Sequence, residues 1–316
     1  MMFSATALWA TVATAASFSI AIASTSTANA QDVTYTNCHM SFDVTNPPQR
    51  AVSLNQGTTE MLLGLGLEDR MSGTAYLDDA IWPEFADAYN QVPVLEESAY
   101  PNITTLMAAD PDFIYASYRS AFQAKTEADS RRIGYFDWLP SGSCKLTVST
   151  SKGNAIYCRE ELYEELGIPT YLQTPSCELA EHRPDALVLD DLYQEINDVA
   201  SIFGVPENAA NLIGTIEDHF VSAQELHKDD ATPTSVLFLD SWGDETPLVG
   251  ACCGSINAII EYAGAVNAMA DVGLEERSTW AKANWMDIAA IDPDVIVVVD
   301  ASWDRAGTLW ILCNTM

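Results

Sequence analysis

The sequence LMAADPDFI (Leu106–Ile114) returns near the other end of the chain as IAAIDPDVI (Ile288–Ile296). In both copies the helical spacing of the apolar residues stops at Asp-Pro-Asp, because proline does not continue a helix, and a short apolar strand follows. Each strand leads into alanine, serine and an aromatic residue, at Ala116–Tyr118 in the first copy and at Ala301–Trp303 in the second. This internal repeat predicts two structural units of similar plan.

A strand and a helix precede each copy of the repeat. Arg50–Leu54 is the leading apolar strand of the first unit, and Ser235–Leu239 is that of the second. The helices that follow end at Gly66 and Gly264, since glycine accepts the left-handed conformation common after a helix. Alternating strands and helices predict mostly parallel sheets with helices on both faces. We therefore expect an α/β fold with two Rossmann-like lobes.

A long helix is predicted between the two units, over Pro206–Lys228. Proline and glutamate in its first turn suit a helix start. Apolar residues recur at helical spacing from Ala209 to Leu226. About 23 residues at 1.5 Å per residue give a rod of roughly 34 Å. Such a rod is long enough to join two lobes with a ligand cleft between them.

The predicted organisation has five parts. They are a signal peptide at residues 1–30, a lead-in at 31–49, an N-terminal α/β lobe at 50–190, connecting helices at 191–230 and a shortened C-terminal α/β lobe at 231–316. Ala5–Ala30 is uncharged, rich in small apolar residues and ends in the Ala-x-Ala pattern of a secretory cleavage site. No later stretch reaches the length of about 20 apolar residues that a membrane-spanning helix needs. We therefore expect a secreted or periplasmic chain that is cleaved after Ala30.

The composition is strongly acidic. The chain has 45 Asp and Glu residues against 14 Lys and Arg residues, for a formal net charge of −31. Such a surface repels phosphate backbones and anionic lipid headgroups, which argues against nucleic acid and membrane surfaces as partners. It favours neutral or cationic ligands over anionic ones.

Seven cysteines in an exported chain predict disulfide bonds. We expect a bond between Cys144 and Cys158, which flank a short loop that contains glycine, serine and lysine. Adjacent cysteines rarely reach disulfide geometry, so Cys252 and Cys253 are not expected to bond to each other.

Catalytic and metal-binding motifs are missing from the sequence. The four histidines lack the spacing of a metal site, and neither a nucleophile–base pair nor a G-x-S-x-G motif is present. The sequence therefore predicts no catalytic residue, no protein-bound metal and no covalent cofactor.

Loops at the carboxyl ends of the strands are expected to line the cleft, because ligands bind there in parallel sheets. Aromatic side chains in these loops suit a flat or macrocyclic metal chelate, although packing alone would also explain each of them. Two arginines follow the strands of the repeat and are candidates for contacts with ligand oxygens, with surface ion pairs as the alternative. The predicted ligand-binding residues are Asn55, Gln56, Tyr76, Tyr118, Arg119, Trp242, Trp280, Trp303 and Arg305.

Further segments stand beside the doubled Asp-Pro-Asp unit, namely Arg50–Leu54, Thr59–Leu62 and Gly254–Asn267. In this order they resemble the class III periplasmic binding proteins, the solute receptors of importers for ferric siderophores, haem and cobalamin. The resemblance covers Arg50–Arg305. It implies two α/β lobes joined by one rigid helix, a ligand held between them with little lobe movement, and a membrane permease as partner.

Three features depart from that family. Its members usually carry one docking glutamate per lobe in the helix before each Asp-Pro-Asp unit, whereas this chain has Thr104 and Met286 there. Asn102 begins an N-glycosylation sequon on the same face. The chain also ends at Met316, soon after Arg305, where the family continues with another strand and helix.

The sequence favours a monomeric, non-catalytic receptor that captures an Fe(III)-siderophore or a similar metal chelate, such as haem or cobalamin, for uptake. An enzyme or cofactor-processing protein on the same two-lobed scaffold is the first alternative, since a fold does not determine a function. Chemical change of a bound chelate would favour it. A secreted remnant without any ligand is the second alternative, and a melting transition unaffected by any chelate would favour that.

Overall fold

The structure, a computed structural model, describes residues 32–122, 159–227, 232–242, 246–274 and 277–300. The predicted signal peptide, the predicted Cys144–Cys158 bond, Trp303 and Arg305 lie outside these ranges.

The described chain begins with a hairpin of β1 (Val33–Asn37) and β2 (Met40–Val44), where the sequence predicted only a lead-in. Alternate residues of β2 are buried, as expected for a strand with one covered face. The Asn37 side chain donates to the Leu172 carbonyl at 2.9 Å and accepts from the Leu172 N–H at 2.8 Å. These bonds fasten the hairpin to the first lobe.

The first lobe follows the predicted alternation of strands and helices. Its elements are β3 (Ala51–Leu54), α1 (Gln56–Gly64), β4 (Met71–Ala75), α2 (Ala86–Tyr89), β5 (Val94–Glu96), α3 (Ile103–Ala108), β6 (Phe113–Ala116), α4 (Arg159–Glu164) and β7 (Thr170–Leu172). The strands form one parallel sheet in the order β5-β4-β3-β6-β7. Both β3 and β6 are buried along their whole length, which explains why they are apolar runs without alternation. The strand order reverses between β3 and β6, and ligands bind at such a point in α/β sheets.

Two helices connect the lobes, α5 (Leu189–Phe203) and α6 (Pro206–His227). Near its start, α6 packs on the core of the first lobe through Leu212. Further along, the ring of Phe220 lies 5.5 Å from the ring of Tyr262 in the second lobe. The prediction that one long helix joins the two lobes is therefore confirmed.

The second lobe differs from the first in its sheet. Its elements are β8 (Ser235–Ser241), β9 (Leu248–Gly250), α7 (Ser255–Tyr262), β10 (Val266–Asn267), β11 (Trp280–Lys282), α8 (Trp285–Ile291) and β12 (Val295–Val298). β10 and β12 run parallel to β8, whereas β9 runs antiparallel to both β8 and β11. The expectation of a mostly parallel sheet is wrong here, because the connection from β8 to β9 is too short for the crossover that parallel strands need.

The Asp-Pro-Asp repeat has the same structural role in both lobes. Asp112 accepts hydrogen bonds from the backbone N–H groups of Gln49, at 2.9 Å, and Arg50, at 2.8 Å, just before β3. Asp294 accepts from the N–H of Ser235, at 2.8 Å, where β8 begins. In each lobe the carboxylate thus joins the start of the leading strand to the start of its parallel neighbour, β6 or β12.

Two disulfide bonds are present in the described residues. Cys38 bonds to Cys177 and ties the hairpin to the segment after β7. Cys252 and Cys253 bond to each other, so the expectation that these neighbours stay apart is wrong. Both occupy the tight turn between β9 and α7, where their Cα atoms lie 3.7 Å apart.

None of the described helices combines the length and the apolar character that crossing a membrane requires.

Replacing Asp112 by alanine should lower the free energy of unfolding by about 1–3 kcal/mol, because two backbone N–H groups lose a charged acceptor. Asp294→Ala removes a single hydrogen bond, from the N–H of Ser235, and should lower the free energy of unfolding less. Urea unfolding at neutral pH measures both changes. A stability of Asp112→Ala equal to that of the wild type would contradict the role given to this carboxylate.

The double variant Cys38→Ala/Cys177→Ala should lose about 2–5 kcal/mol of unfolding free energy, because the bond restricts a long stretch of the unfolded chain. Cys252→Ala/Cys253→Ala is the matched control. A bond between neighbours closes almost no loop, so the control should lose much less. Urea unfolding without reductant compares the two, and equal losses would refute the explanation.

Candidate ligand-binding cleft

A cavity of about 380 Å³ lies between the two lobes. Loops that follow β3, β6 and β7 form its first-lobe wall, and α7 with β11 forms the facing wall. The start of α5 and the ring of Phe220 on α6 complete it. The loops of the first lobe are those at the reversal of strand order, where a ligand site is expected.

Much of this lining is apolar. Aliphatic side chains come from Leu187, just before α5, and from Leu189 and Leu192 in its first turn. On α7, Ala258 and Ile259 face the cavity together with Ser255, a spacing that places all three on one side of a helix. An apolar ligand body can therefore be buried between the lobes.

The loop after β3 presents the amino end of α1 to the cavity. Asn55 has a φ of +86°, and its side chain does not cap the helix. Instead its Oδ1 accepts a hydrogen bond from the Tyr100 hydroxyl at 2.8 Å. Gly57 is an exposed part of the cavity wall, and it adds no side chain in front of the helix end.

Ser117 follows β6 at the same wall. Its side chain is 4% exposed, and within the described part of the chain its Oγ has no hydrogen-bond partner. A Cβ atom placed on Gly57 would lie 3.4 Å from this oxygen. A hydroxyl group without a partner is uncommon in a protein interior, since burial without a hydrogen bond is costly.

Glu195 on α5 is a buried carboxyl group of the cavity wall, 5% exposed. The Tyr115 hydroxyl and the Gln173 amide, the latter at 3.0 Å, both donate to its Oε1. Burial raises the pKa of Glu195, and these two hydrogen bonds only partly oppose the shift. Burial likewise raises the pKa of the Tyr115 hydroxyl. This part of the wall is therefore polar, and its burial disfavours ionisation of both groups.

Three of the predicted site residues line the cavity. They are Asn55 and Tyr118 from the first lobe and Trp280 from the second. Tyr118 is 41% exposed. The ring of Trp280 packs beside that of Phe238, with ring centroids 5.9 Å apart.

Other predicted site residues lie elsewhere. Trp242 is 3% exposed in the core of the second lobe, where it belongs to the same apolar cluster as Leu237 and Leu239. Tyr76 packs edge-on against Tyr100, with ring centroids 4.8 Å apart. The Gln56 side chain accepts from the N–H of Asp79 at 3.0 Å and so supports a neighbouring loop.

Arg119 also lies outside the cavity lining. Its burial, together with the nearby positive charge of Arg183, lowers the pKa of Arg119 to about 10, against an opposing effect of Glu178. The arginine therefore belongs to a partly buried charged cluster of the first lobe.

Polar wall residues that were not predicted from the sequence include Ser117, Gln173 and Glu195, whereas Gly57 lies in the loop after β3 that was expected to line the cleft. Ser117 directly precedes the predicted Tyr118, and both residues line the cavity. Glu195 lies within an amphipathic helix, where a glutamate ordinarily faces solvent. No pattern in the sequence distinguishes it from the many other acidic residues.

Two contacts hold the segment before α5 against the second lobe. The N–H of Leu187 donates to the carbonyl of Cys253 at 3.1 Å. Arg277 forms an ion pair with Asp185 at 2.5 Å. Together with α6, these contacts give the lobes a second connection beside the cavity.

The face predicted for permease docking is exposed in both lobes. Thr104 on α3 is exposed, and Met286 on α8 is 75% exposed. Asn102 caps α3 by accepting from the N–H of Thr105 at 3.0 Å, and it is exposed as a glycosylation site must be. Across the described ranges, no three His, Cys, Asp or Glu side chains converge as metal ligands.

Comparison with known proteins identifies relatives of this fold. The family model described as periplasmic binding protein matches residues 157–308. A periplasmic binding protein from Veillonella parvula superposes with a TM-score of 0.66 at 23% identity, covering 87% of this chain and 79% of its own. A structure from the ABC-type Fe3+-hydroxamate transport system of Saccharomonospora viridis superposes with a TM-score of 0.60 at 21% identity. The match covers 85% of this chain and 79% of that one.

A third solved structure, the periplasmic haem-binding protein RhuT from Roseiflexus sp., gives a TM-score of 0.52 at 20% identity and covers 80% of this chain and 77% of its own. At these identities the structures establish the fold, and the family model covers the chain from α4 onward. The resemblance inferred from the doubled Asp-Pro-Asp unit is thereby confirmed for the fold, and the family model supports it over residues 157–308. A comparison with curated protein sequences found no match.

Glu195→Gln should become more stable relative to the wild type as the pH rises. The folded state raises the pKa of Glu195, so above the ordinary glutamate pKa of about 4.3 the unfolded chain loses its proton first. The wild type therefore loses stability through that window until the folded carboxyl also ionises, whereas the amide does not titrate. Urea unfolding of both proteins from pH 4 to pH 8 measures the difference, and parallel profiles would contradict it.

Proposed function

Because this chain shares the fold and the family match of the periplasmic binding proteins, we propose that it is an exported, non-catalytic receptor that captures a metal chelate for uptake. The chelate is a ferric siderophore or a related ligand such as haem or cobalamin. The observation that carries this proposal is the interlobe cavity at the carboxyl ends of β3 and β6.

The cavity has the properties of a small-molecule site. Its volume of about 380 Å³ falls within the range of about 300–1,000 Å³ typical of ligand pockets. Aliphatic side chains of α5 and α7 would cover the ligand body, and Tyr118 and Trp280 supply one aromatic surface from each lobe. Two structural relatives, one from an Fe3+-hydroxamate transport system and one a haem-binding protein, support this class of ligand.

The charge of the chain favours neutral or cationic chelates. The net charge is −31, and Asp78 and Glu195 both belong to the cavity wall. Burial raises the pKa of the Asp78 carboxyl, so ionisation of this group is disfavoured too. A strongly anionic chelate would meet repulsion from the surface and little positive charge in the cavity.

Binding is proposed to require little movement of the lobes. A single helix, α6, contacts both of them, and Leu187 and Arg277 make further contacts between the segment before α5 and the second lobe. A receptor organised in this way loses little free energy to rearrangement on binding. A membrane permease is the proposed partner, and contact through Thr104 and Met286 would not use the two glutamates found in related receptors.

Quenching of tryptophan fluorescence tests the proposal. Ferrioxamine B, haem and cobalamin would be titrated into the purified full chain, and at least one should bind with a Kd below ~10 μM. Failure of all three to bind at that level would refute capture of such chelates. Recovery of a chemically altered chelate would point to an enzyme instead.

Trp280→Ala should weaken binding of the chelate about tenfold, because the variant removes an aromatic surface of the cavity wall. Trp82→Ala is the matched control, since Trp82 is 59% exposed and does not line the cavity. The same titration, followed through the remaining tryptophans, measures both affinities. An unchanged affinity in Trp280→Ala would remove this residue from the site.

A further inference from the structure

We infer that the amino end of α1, together with Ser117, binds an oxygen acceptor of the ligand, either a hydroxamate oxygen or a carboxylate. This subsite rests on the proposed function and specifies how the first lobe recognises the captured chelate. It consists of the backbone N–H groups at the start of α1, the open face of Gly57 and the hydroxyl of Ser117.

The amino end of α1 has free backbone donors at the cavity. The first N–H groups of an α-helix have no partner inside the helix, and they attract oxygen atoms that carry negative charge. In α1 the usual side-chain cap is missing, because Asn55 turns its Oδ1 to the Tyr100 hydroxyl. The helix end borders the cavity through Asn55 and Gly57.

The hydroxyl of Ser117 is buried beside this helix end. Within the described residues its Oγ has no hydrogen-bond partner, although the side chain is more than nine-tenths buried and the residue lines the cavity. Such a group loses its hydration without compensation, unless a ligand supplies the missing bond. The hydroxyl is therefore available as a donor beside the helix end.

Gly57 has no side chain to fill the space in front of the helix. The position of a Cβ atom on this residue lies 3.4 Å from Ser117 Oγ and 3.9 Å from Gln173 Oε1. This side of Gly57 is therefore open, so a ligand oxygen in van der Waals contact with its Cα atom would lie beside the Ser117 hydroxyl and the start of the helix. The φ angle of Gly57 is not positive, so other residues could adopt this backbone conformation. What glycine provides here is free space in front of the helix.

The neighbouring groups restrict which oxygens fit. Gln173 donates one N–H of its Nε2 to Glu195, and its Oε1 is the amide atom that lies near Gly57. A compact oxygen at the helix end gains the N–H groups, whereas a second carboxylate at the same place would lie near the acidic side chain of Glu195. Hydroxamate oxygens and a single carboxylate share the required chemistry.

Two substitutions test the subsite in the full chain. Gly57→Ala adds a methyl group at ordinary contact distance from its neighbours and should leave the melting temperature within a few degrees of the wild type. It should weaken binding of ferrioxamine B or haem at least tenfold. Ser117→Ala should weaken the same binding about three- to tenfold, while its melting temperature stays equal or rises, because the orphan hydroxyl is gone.

Matched controls lie on α6, away from the cavity. A Cβ on Gly214 meets no atom within 4 Å, and Ser222 is exposed with its hydroxyl bound to the Asp218 carbonyl at 2.7 Å. Gly214→Ala and Ser222→Ala should therefore keep the affinity of the wild type.

The outcomes separate this inference from the proposed function. Wild-type binding with unchanged affinity in both Gly57→Ala and Ser117→Ala would overturn the subsite and leave the receptor function standing. Absence of wild-type binding to ferrioxamine B, haem and cobalamin would overturn both. If the two variants lose affinity for ferrioxamine B alone, the subsite binds hydroxamate oxygens. If they lose affinity for haem alone, it binds a carboxylate.

Discussion

A carboxylate that holds the start of one strand against its parallel neighbour underlies the architecture of both lobes. Asp112 and Asp294 each follow a proline and accept hydrogen bonds from backbone N–H groups at the start of the leading strand. Because charged acceptors form stronger hydrogen bonds than neutral ones, they fix the register of β6 on β3 and of β12 on β8. Once those starts are aligned, the carboxyl ends of the same strands are aligned as well. In the first lobe those ends carry Asn55 and Ser117, so the geometry of the cavity wall depends on a bond at the opposite end of the sheet.

The cavity then follows from how the remaining elements cover that end of the sheet. The start of α5 brings aliphatic side chains and the buried Glu195 to it, and α7 closes the facing side with a mostly apolar surface. The long helix α6 sets the separation of the lobes, because it packs on the first near Leu212 and on the second at Phe220. Polar groups are concentrated on the first lobe, and the second supplies mainly apolar and aromatic contacts. Such a division suits a chelate whose oxygens face one lobe and whose hydrocarbon surface faces the other.

The elements of the fold could be predicted closely from the sequence, and the site only in part. Glycine and proline limit the helices, and uninterrupted apolar runs mark β3, β6 and β8, so local chemistry was sufficient there. The hairpin β1–β2 was missed although Met40, Phe42 and Val44 alternate with polar residues. The antiparallel β9 depends on a short connection whose pairing no local pattern specifies. Aromatic residues at strand ends were favoured as ligand contacts, yet Trp242 is buried in the core and Glu195 reaches the cavity from within a helix. Tertiary packing decides both positions.

The hairpin affects whether the first-lobe sheet can pair with a second chain at high protein concentration. In β7 the Thr170 carbonyl and both backbone groups of Leu172 point away from β6, on the open side of the outermost strand. An open strand of this kind is a template to which a second chain can add by hydrogen bonding. Here the Tyr35 hydroxyl and the Asn37 amide occupy all three groups, and the Cys38–Cys177 bond holds the hairpin in place. The amino-terminal hairpin thus shields this edge of the sheet from strand pairing with a second chain.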